Sequence, residues 1–207
     1  MAVTGAVYSG LVTFLDDPSL RFAVVDVETS GLSVRRHRVL QVGVVVIDGR
    51  GEVVDRWASL IRPRRRWFHR VGPTAIHGIR RRDVRAAPPL PEVMTRLAAS
   101  LADTVFVAHN APFDLAFLRK AARDASVDLP IGATLCTLRL SRQLDPDRTQ
   151  SHRLGALCER YEVALVRPHD ALADADATAA VLPHLLRAHG ITSREQIGER
   201  LVDQSAA

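Results

Sequence analysis

The sequence predicts a mixed α/β domain in which helices cover a β-sheet. Three observations predict it: β-branched runs dominate the first third of the chain, strand and helix patterns then alternate, and helical patterns fill the last third. This order is typical of a domain built on one mixed sheet. The 207 residues, of which 47% are hydrophobic and 25% charged, are enough to bury such a core.

Four strands are expected from runs of apolar and β-branched residues. They are Phe22–Val27, Val39–Asp48, Val53–Ile61 and Thr104–Ala108. The turn sequence Asp48-Gly49-Arg50-Gly51 is a clear hairpin signal, so the first three strands should form an antiparallel meander. The segment from Arg62 to Pro91 is rich in Arg, Pro and Gly, which indicates a loop with one helical turn near Pro73–His77.

Six helices are expected from apolar residues at helical spacing. They are Pro91–Ala102, Pro112–Ser126, Leu135–Leu144, Arg153–Tyr161, Ala171–Ala188 and Ser193–Val202. Pro183 should kink the fifth helix or mark a junction. Ser193 to Gln196 fits a capping box at the start of the sixth. The first fifteen residues have no clear period and leave a short packed helix and an arm as alternatives.

Composition excludes several protein classes. No apolar run approaches the roughly 18 residues of a membrane span, and no secretory signal pattern is visible, so we expect no membrane association. The only two cysteines, Cys136 and Cys158, lack zinc-ligand spacing. Two reduced, buried cysteines would fit a cytoplasmic location.

Basic residues are concentrated in one part of the chain. The net charge is +5, and fourteen arginines against four acids lie between Arg35 and Arg85, with Trp67, Phe68 and His69 among them. Arginines interleaved with aromatic residues favour binding to single-stranded nucleic acid. A solvated surface with Trp67 packed over a sheet edge is the alternative, and a GC-rich genome would also favour arginine.

Two carboxylates end the first strand, in Asp26-Val27-Glu28. Because side chains alternate along a strand, both project to one face. A divalent cation such as Mg²⁺ takes oxygen ligands and would relieve their repulsion. A solvated strand end carrying two ordinary acids is the alternative.

Two further acidic positions follow along the chain. Asp114 falls in the first turn of a predicted helix, where the helix dipole favours a carboxylate even without a metal. His169 and Asp174 are five residues apart, so they can face one site only if His169 lies in the loop before the helix and Asp174 one turn inside it. Asp170 is a plausible N-cap for that helix.

The three motifs Asp26–Leu32, His109–Asp114 and His169–Asp174, taken in this order, resemble those of the DEDDh (DnaQ-like) family of 3′→5′ exonucleases. This family includes the proofreading epsilon subunit of bacterial DNA polymerase III, ribonuclease T and oligoribonuclease. The resemblance covers residues 21–189, followed by a helical extension over 190–207. It implies a single exonuclease domain over 1–207 with an RNase H-like fold, in which helices flank a mixed five-stranded sheet.

The resemblance also implies a two-metal active site. Asp26, Glu28, Asp114 and Asp174 would hold two Mg²⁺ or Mn²⁺ ions, and His169 would be the general base of the histidine subtype. Two ions can activate water and stabilise a leaving oxygen, and an imidazole can accept the proton at neutral pH. The residues that would lie near the terminal nucleotide are Thr29, Gly31, Leu32, Ile76, His77, Asn110 and Phe113. For Ile76 and His77, an ordinary place in the core or in a loop is the alternative.

The function implied is metal-dependent hydrolysis from the 3′ end of single-stranded or frayed nucleic acid, with DNA favoured and nucleoside 5′-monophosphates released. Alternatives are an RNA-trimming exonuclease of the ribonuclease T kind and a catalytically silent module that binds nucleic acid or a polymerase. A DNA polymerase and a second copy of the chain are candidate partners. Cys136 stands where relatives often carry Asp, and with Arg139 it would alter how a strand is held.

Overall fold

Five strands form one mixed sheet in the computed structural model, which describes Leu15, residues 17–62 and residues 71–198. The strand order is β3-β2-β1-β4-β5. The strands are β1 (Arg21–Thr29), β2 (Val39–Asp48), β3 (Val53–Leu60), β4 (Val105–Ala108) and β5 (Thr134–Cys136). The expected five-stranded mixed sheet is therefore confirmed.

The first three strands form the predicted antiparallel meander, with β2 between β1 and β3. The hairpin turn between β2 and β3 closes where the sequence indicates. The Asp48 N–H donates to the Glu52 carbonyl over 3.0 Å, and the Gly51 N–H donates to the Asp48 carbonyl over 2.9 Å. Gly51 has φ 86°, a left-handed conformation that favours glycine.

The strands β4 and β5 extend the sheet parallel to β1. Val24 lies beside Val107, and Val107 lies beside Leu135. The carboxyl ends of these three strands therefore meet at one edge of the sheet, which is where ligands bind in open α/β sheets. We call this edge the carboxyl edge.

The expected helix Leu135–Leu144 is wrong at its start. Leu135 and Cys136 belong to β5, and the helix α5 covers Thr137–Gln143. Three residues are too few to show a strand period, and this strand exists because it pairs with β4. Tertiary pairing thus overrides the helical pattern of the sequence here.

Helices flank both faces of the sheet. In addition to α5 they are α1 (Thr74–His77), α2 (Arg81–Arg85), α3 (Leu90–Leu101), α4 (Ala111–Ala125), α6 (Leu154–Arg160), α7 (Ala171–Ala188) and α8 (Arg194–Gly198). The short helix α2 lies where only loop was expected. The Asp83 carboxylate stabilises its start by accepting the Arg80 N–H over 2.8 Å.

The sheet separates two hydrophobic cores. On one face, Phe22 and Val24 of β1 pack with the apolar side of α7. On the other face, Val25 of β1 packs with residues of α3 and α4. Alternate residues of β1 therefore enter opposite cores, and both cores fix the position of this central strand.

Of two expectations for the last two helices, one is wrong and one is confirmed. Pro183 lies inside the continuous helix α7, so the expected junction is wrong. The capping box at α8 is confirmed, because Gln196 Oε1 accepts the Ser193 N–H over 3.2 Å and Ser193 Oγ accepts the Gln196 N–H over 3.5 Å.

Among the described residues, none of the helices has the length and apolar character needed to cross a bilayer. Three expectations lie outside the described residues. They concern the first fourteen residues, the end of the last helix beyond residue 198, and the aromatic part of the basic tract (63–70).

Candidate active site

The two acids of β1 lie on the face of the sheet that α7 covers. Phe22 and Val24 point into the core beneath α7, and the alternation of side chains places Asp26 and Glu28 on the same face, nearer the carboxyl edge. Both are partly buried. The strand therefore delivers two carboxylates to the N-terminal end of α7.

His169 and Asp174 meet these carboxylates at the start of α7. Ligand atoms of Glu28, His169 and Asp174 all lie within 4.8 Å of one another. The His169 N–H donates to Asp174 Oδ2 over 3.0 Å, and Asp170 caps the helix by accepting the Ala173 N–H over 3.2 Å. His169 has φ 66°, outside the helix, which is the arrangement that lets both side chains face one site.

A close approach between β2 and α7 fixes this arrangement. Gly43 of β2 pairs with Asp26 in the sheet, and a Cβ atom at position 43 would lie 2.2 Å from the carbonyl oxygen of Ala171. Gln41 Oε1 also accepts the Ala171 N–H over 3.4 Å. Sequence reasoning missed Gly43 and Gln41, because no local pattern shows which residue of β2 lies under the helix.

Asp114 reaches the same place from the opposite core. The helix α4 packs through Leu115 and Leu118 against the other face of the sheet, and Asp114 in its first turn is only 3% exposed. A backbone hydrogen bond from Val27 reaches its carboxylate. Asp114 is also the neighbour whose charge acts most strongly on Asp26.

The site holds more negative charge than it can easily carry. Burial, followed by the charges of Asp114, Asp174 and Glu28, raises the pKa of Asp26 well above its ordinary value. Burial and the charges of Asp174 and Asp170 raise the pKa of Glu28 to about 7. The pKa of Asp174 is raised by burial and partly lowered again by hydrogen bonding to His169.

This donor set fits divalent cations. Carboxylate oxygens are the ligands that Mg²⁺ and Mn²⁺ prefer, and an imidazole lies beside them. Burial and mutual repulsion disfavour the carboxylates without a counter-charge, which a bound cation would supply. Glu28 and Asp174 could hold such a cation together with His169, and Asp26 and Asp114 are the neighbouring carboxylates that could add further ligands.

The end of β1 and the loop after it contain three of the residues expected near a nucleotide. Thr29 is buried and its Oγ1 donates to the Gly31 carbonyl over 3.0 Å, whereas the Leu32 side chain is 84% exposed. Gly31 has φ 149°, and a Cβ atom there would lie 2.6 Å from the His37 ring. The loop thus has a fixed backbone and one free apolar side chain at the carboxyl edge.

The helix α1 carries two more of these residues. Ile76 is 54% exposed, and His77 is buried, its Nδ1 accepting the Ile79 N–H over 3.0 Å. Burial and, to a smaller extent, the nearby His169 lower the pKa of His77. The structure therefore brings His77 close to His169, with Ile76 on the neighbouring surface.

Asn110 and Phe113 lie at the start of α4. Asn110 is exposed at the N-cap position with φ 71°, and Phe113 packs against Phe117, with ring centroids 5.0 Å apart. The preceding His109 bonds Thr137 Oγ1 over 3.0 Å and so ties the ends of β4 and β5 together. Burial lowers the pKa of His109 to about 4, which makes it neutral at physiological pH.

Comparison with known protein families identifies this arrangement. Residues 23–182 match the family model RNase_T, described as exonuclease. The chain belongs to this exonuclease family. This match confirms the family expected from the three motifs, all of which lie within the matched residues.

Two relatives illustrate the range of proteins that contain such a domain. The chain is 37% identical over 187 residues to a Mycobacterium tuberculosis (strain CDC 1551 / Oshkosh) protein whose name describes a bifunctional exonuclease/endonuclease. It is 34% identical over 168 residues to the PolC-type DNA polymerase III of Oceanobacillus iheyensis. The matches cover 84% and 80% of this chain but only 28% and 11% of those proteins.

Solved exonuclease structures share the fold. Exonuclease X in complex with 5′ overhanging duplex DNA is 27% identical, with a TM-score of 0.66 over 87% of this chain and 98% of that one. Escherichia coli exonuclease I in complex with a dT13 oligonucleotide is 18% identical, with a TM-score of 0.69 over 83% of this chain and 42% of that one. These likenesses confirm the expected RNase H-like fold.

Proposed function

We propose that this domain is a metal-dependent 3′→5′ exonuclease that acts on single-stranded or frayed ends, with DNA favoured, and releases nucleoside 5′-monophosphates. The observation that carries the proposal is the convergence of Glu28, His169 and Asp174 beside the carboxylates of Asp26 and Asp114. Membership of an exonuclease family supports the reaction class. The polymerase relative and the DNA complex of exonuclease X support DNA as the substrate.

The proposed roles follow from the chemistry of each group. Asp26, Glu28, Asp114 and Asp174 would hold the divalent ions, which would supply activation of a water and stabilisation of the leaving 3′ oxygen. His169 is exposed to solvent beside Glu28 and Asp174, so its imidazole can accept the proton of the attacking water. The water oxygen forms a bond to phosphorus as the bond from phosphorus to the 3′ oxygen breaks. The departing 3′ oxygen takes a proton from solvent to become a hydroxyl, and His169 returns the proton of the attacking water to solvent.

Residues around the site would position the end of the strand. Leu32 and Ile76 present exposed apolar surface suited to a nucleobase, and Thr29 and Gly31 shape the loop below it. Asn110 is an exposed polar group at the start of α4, next to the turn that carries Asp114. Phe113 supports that turn through its contact with Phe117.

End-labelled oligonucleotides test the direction and the product. With Mg²⁺ or Mn²⁺, a strand labelled at its 3′ nucleotide should release labelled nucleoside 5′-monophosphate at once, whereas a 5′-labelled strand should shorten step by step. Matched DNA and RNA strands measure the preference between the two sugars. Release of 5′-terminal nucleotides first, or of nucleoside 3′-monophosphates, would contradict the proposal, and absence of cleavage with both metals would favour a silent binding module.

A further inference from the structure

A cavity of about 440 Å³ opens beside the candidate active site, between the start of α4 and the helix α5. Asn110 and Pro112 line it on the side of α4. Arg139 and Arg142 of α5 and Arg148 of the following loop line the other side. We call this cavity the arginine cleft.

The arginine cleft is strongly cationic. Among the residues that the structure describes, its lining contains three arginines and no carboxylate. Arg139 and Arg142 are three residues apart on α5, so they project from the same face of the helix. Cys136 at the end of β5 is buried and also lines the cavity.

The segment that carries Arg148 is held by its own hydrogen bonds. Asp145 accepts the Thr149 N–H over 3.1 Å and the Gln150 N–H over 2.9 Å. His152 Nδ1 lies 2.8 Å from Ser141 Oγ and anchors the loop to α5. The loop is therefore ordered around Asp145, whose carboxylate points to these donors.

The arginine cleft and the carboxylates share the carboxyl edge. Asn110 lines the cleft, and Asp114 lies four residues further along α4, which is a rise of about 6 Å at 1.5 Å per residue. Cys136 ends β5 and pairs with Ala108 of β4, which places the floor of the cleft at the same edge. A strand held at the carboxylates could thus reach the arginines within its next few nucleotides.

We propose that the arginine cleft binds the phosphodiester backbone of the strand on the 5′ side of the nucleotide being removed. This rests on the proposed exonuclease function. Arginine presents a planar, permanently charged fork that pairs with two phosphate oxygens at once, so three arginines around one cavity suit a run of phosphates. Because the phosphate is common to DNA and RNA, the cleft should hold both strands.

The first test measures binding without hydrolysis. Fluorescence anisotropy measures the binding of a 5′-labelled dT12 or rU12 strand to protein that carries Asp26→Asn, so that the strand is not cleaved. The cleft variant adds Arg139→Gln and Arg142→Gln, and the control variant adds Arg123→Gln and Arg194→Gln. Arg123 and Arg194 line cavities elsewhere on the surface, so this control removes the same two charges. The cleft variant should bind at least fivefold more weakly, and the slope of log K against log salt should flatten by about 1.4, since each single-strand phosphate contact contributes roughly 0.7.

The second test separates the cleft from the chemistry. The p-nitrophenyl ester of thymidine 5′-monophosphate has a phosphodiester but no upstream strand. The cleft variants, made in the wild-type background, should hydrolyse it within twofold of the wild-type rate while the KM for dT12 rises. The binding and ester measurements are repeated with Arg148→Asn, which lies in the loop after α5. Asparagine tolerates the left-handed φ of 55° at this position.

The outcomes distinguish the two proposals. If both cleft variants bind the strand with the affinity and salt slope of the wild type and still hydrolyse the ester, the proposal for the arginine cleft is overturned. The exonuclease proposal then remains. Equal weakening by the control variant would also overturn the proposal for the arginine cleft, because the effect would then come from total charge. Absence of ester and strand hydrolysis in the wild type would overturn the catalytic proposal, whereas selective loss of binding in the cleft variants would still support the cleft.

Discussion

Replacement of Gly43 by alanine is the sharpest structural perturbation of the candidate site that changes the identity of none of the proposed catalytic residues. The new Cβ atom would lie 2.2 Å from the Ala171 carbonyl oxygen and 2.5 Å from the Leu172 nitrogen. Both neighbours are backbone atoms, so no change of side-chain rotamer can relieve the overlap. Either β2 or the N-terminal end of α7 must move.

The size of the movement follows from the distances. Ordinary contact of a Cβ atom begins near 3.4 Å, so the distance between this Cβ atom and the Ala171 oxygen has to grow by about 1.2 Å from 2.2 Å. His169 and Asp174 lie two and three residues from Ala171 and would move with it, away from Asp26 on β1. A misplacement of about 1 Å can cost on the order of 100-fold in rate, which is about 2.7 kcal/mol in activation free energy.

The assay is kcat/KM for 3′-end release from a single-stranded oligonucleotide at saturating Mn²⁺, with thermal unfolding measured on the same samples. We expect Gly43→Ala to lose about 100-fold in kcat/KM, and about 1–3 kcal/mol of stability through overpacking. Gly132→Ala is the matched control, because a Cβ atom there meets nothing within 4 Å. It should stay within twofold of wild type in rate.

Two results would refute this reasoning. If Gly43→Ala keeps the wild-type rate and stability, the contact between β2 and α7 does not fix the start of the helix. If the variant is destabilised but keeps its rate, the position of His169 and Asp174 is set by other contacts.

Three further predictions concern charge and capping. Asp26→Asn should stabilise the metal-free protein at pH 8 by on the order of 1 kcal/mol, which is about 2–4 °C in Tm. The reason is that burial and the acidic neighbours raise the pKa of Asp26, so the ionised carboxylate is disfavoured in the folded protein. A lower Tm than that of wild type would contradict this prediction. Glu28 has a folded-state pKa of about 7 against an ordinary value of 4.5, so the stability it contributes is full below pH 4.5 and is lost as the pH rises through 7. Mn²⁺ should therefore raise Tm more at pH 8 than at pH 5, and calorimetry should detect proton release on Mn²⁺ binding near pH 7; equal Tm shifts at both pH values would contradict it. Asp170→Ala should lose about 1 kcal/mol of unfolding free energy in urea titration because α7 loses its N-cap, whereas Asp170→Asn should retain most of it; equal losses would show that the cap contributes nothing specific.

The extent to which sequence predicts this fold depends on how local each signal is. The meander of β1, β2 and β3 follows from long β-branched runs and a turn sequence, and both are local. The strand β5 has three residues and is defined by its pairing with β4, so its sequence alone favours the helix that follows. The helix α2 lies in an arginine-rich segment whose apolar period is too short to detect.

The candidate site shows the same division. The acidic motifs and His169 are visible in the sequence, and so is the condition that His169 must precede its helix. Their convergence depends on register: Asp26 lies opposite Gly43, and Gly43 lies under Ala171, which is far away in the chain. Of the three arginines in the arginine cleft, sequence reasoning flagged only Arg139, because the cleft combines side chains from α5, the loop after it and the start of α4.

The most direct test of the central claim is the single-turnover rate of 3′-nucleotide release by Asp26→Asn against wild type, at saturating Mn²⁺ and with folding verified by thermal unfolding. Asp26 lies beside Glu28, Asp174 and Asp114, and the account makes it a ligand of the catalytic ions. We predict that Asp26→Asn is folded, with a Tm in EDTA at least equal to that of wild type, and at least 1,000-fold slower. A folded Asp26→Asn protein that releases the 3′ nucleotide within tenfold of the wild-type rate would contradict the claim that these carboxylates form the active site.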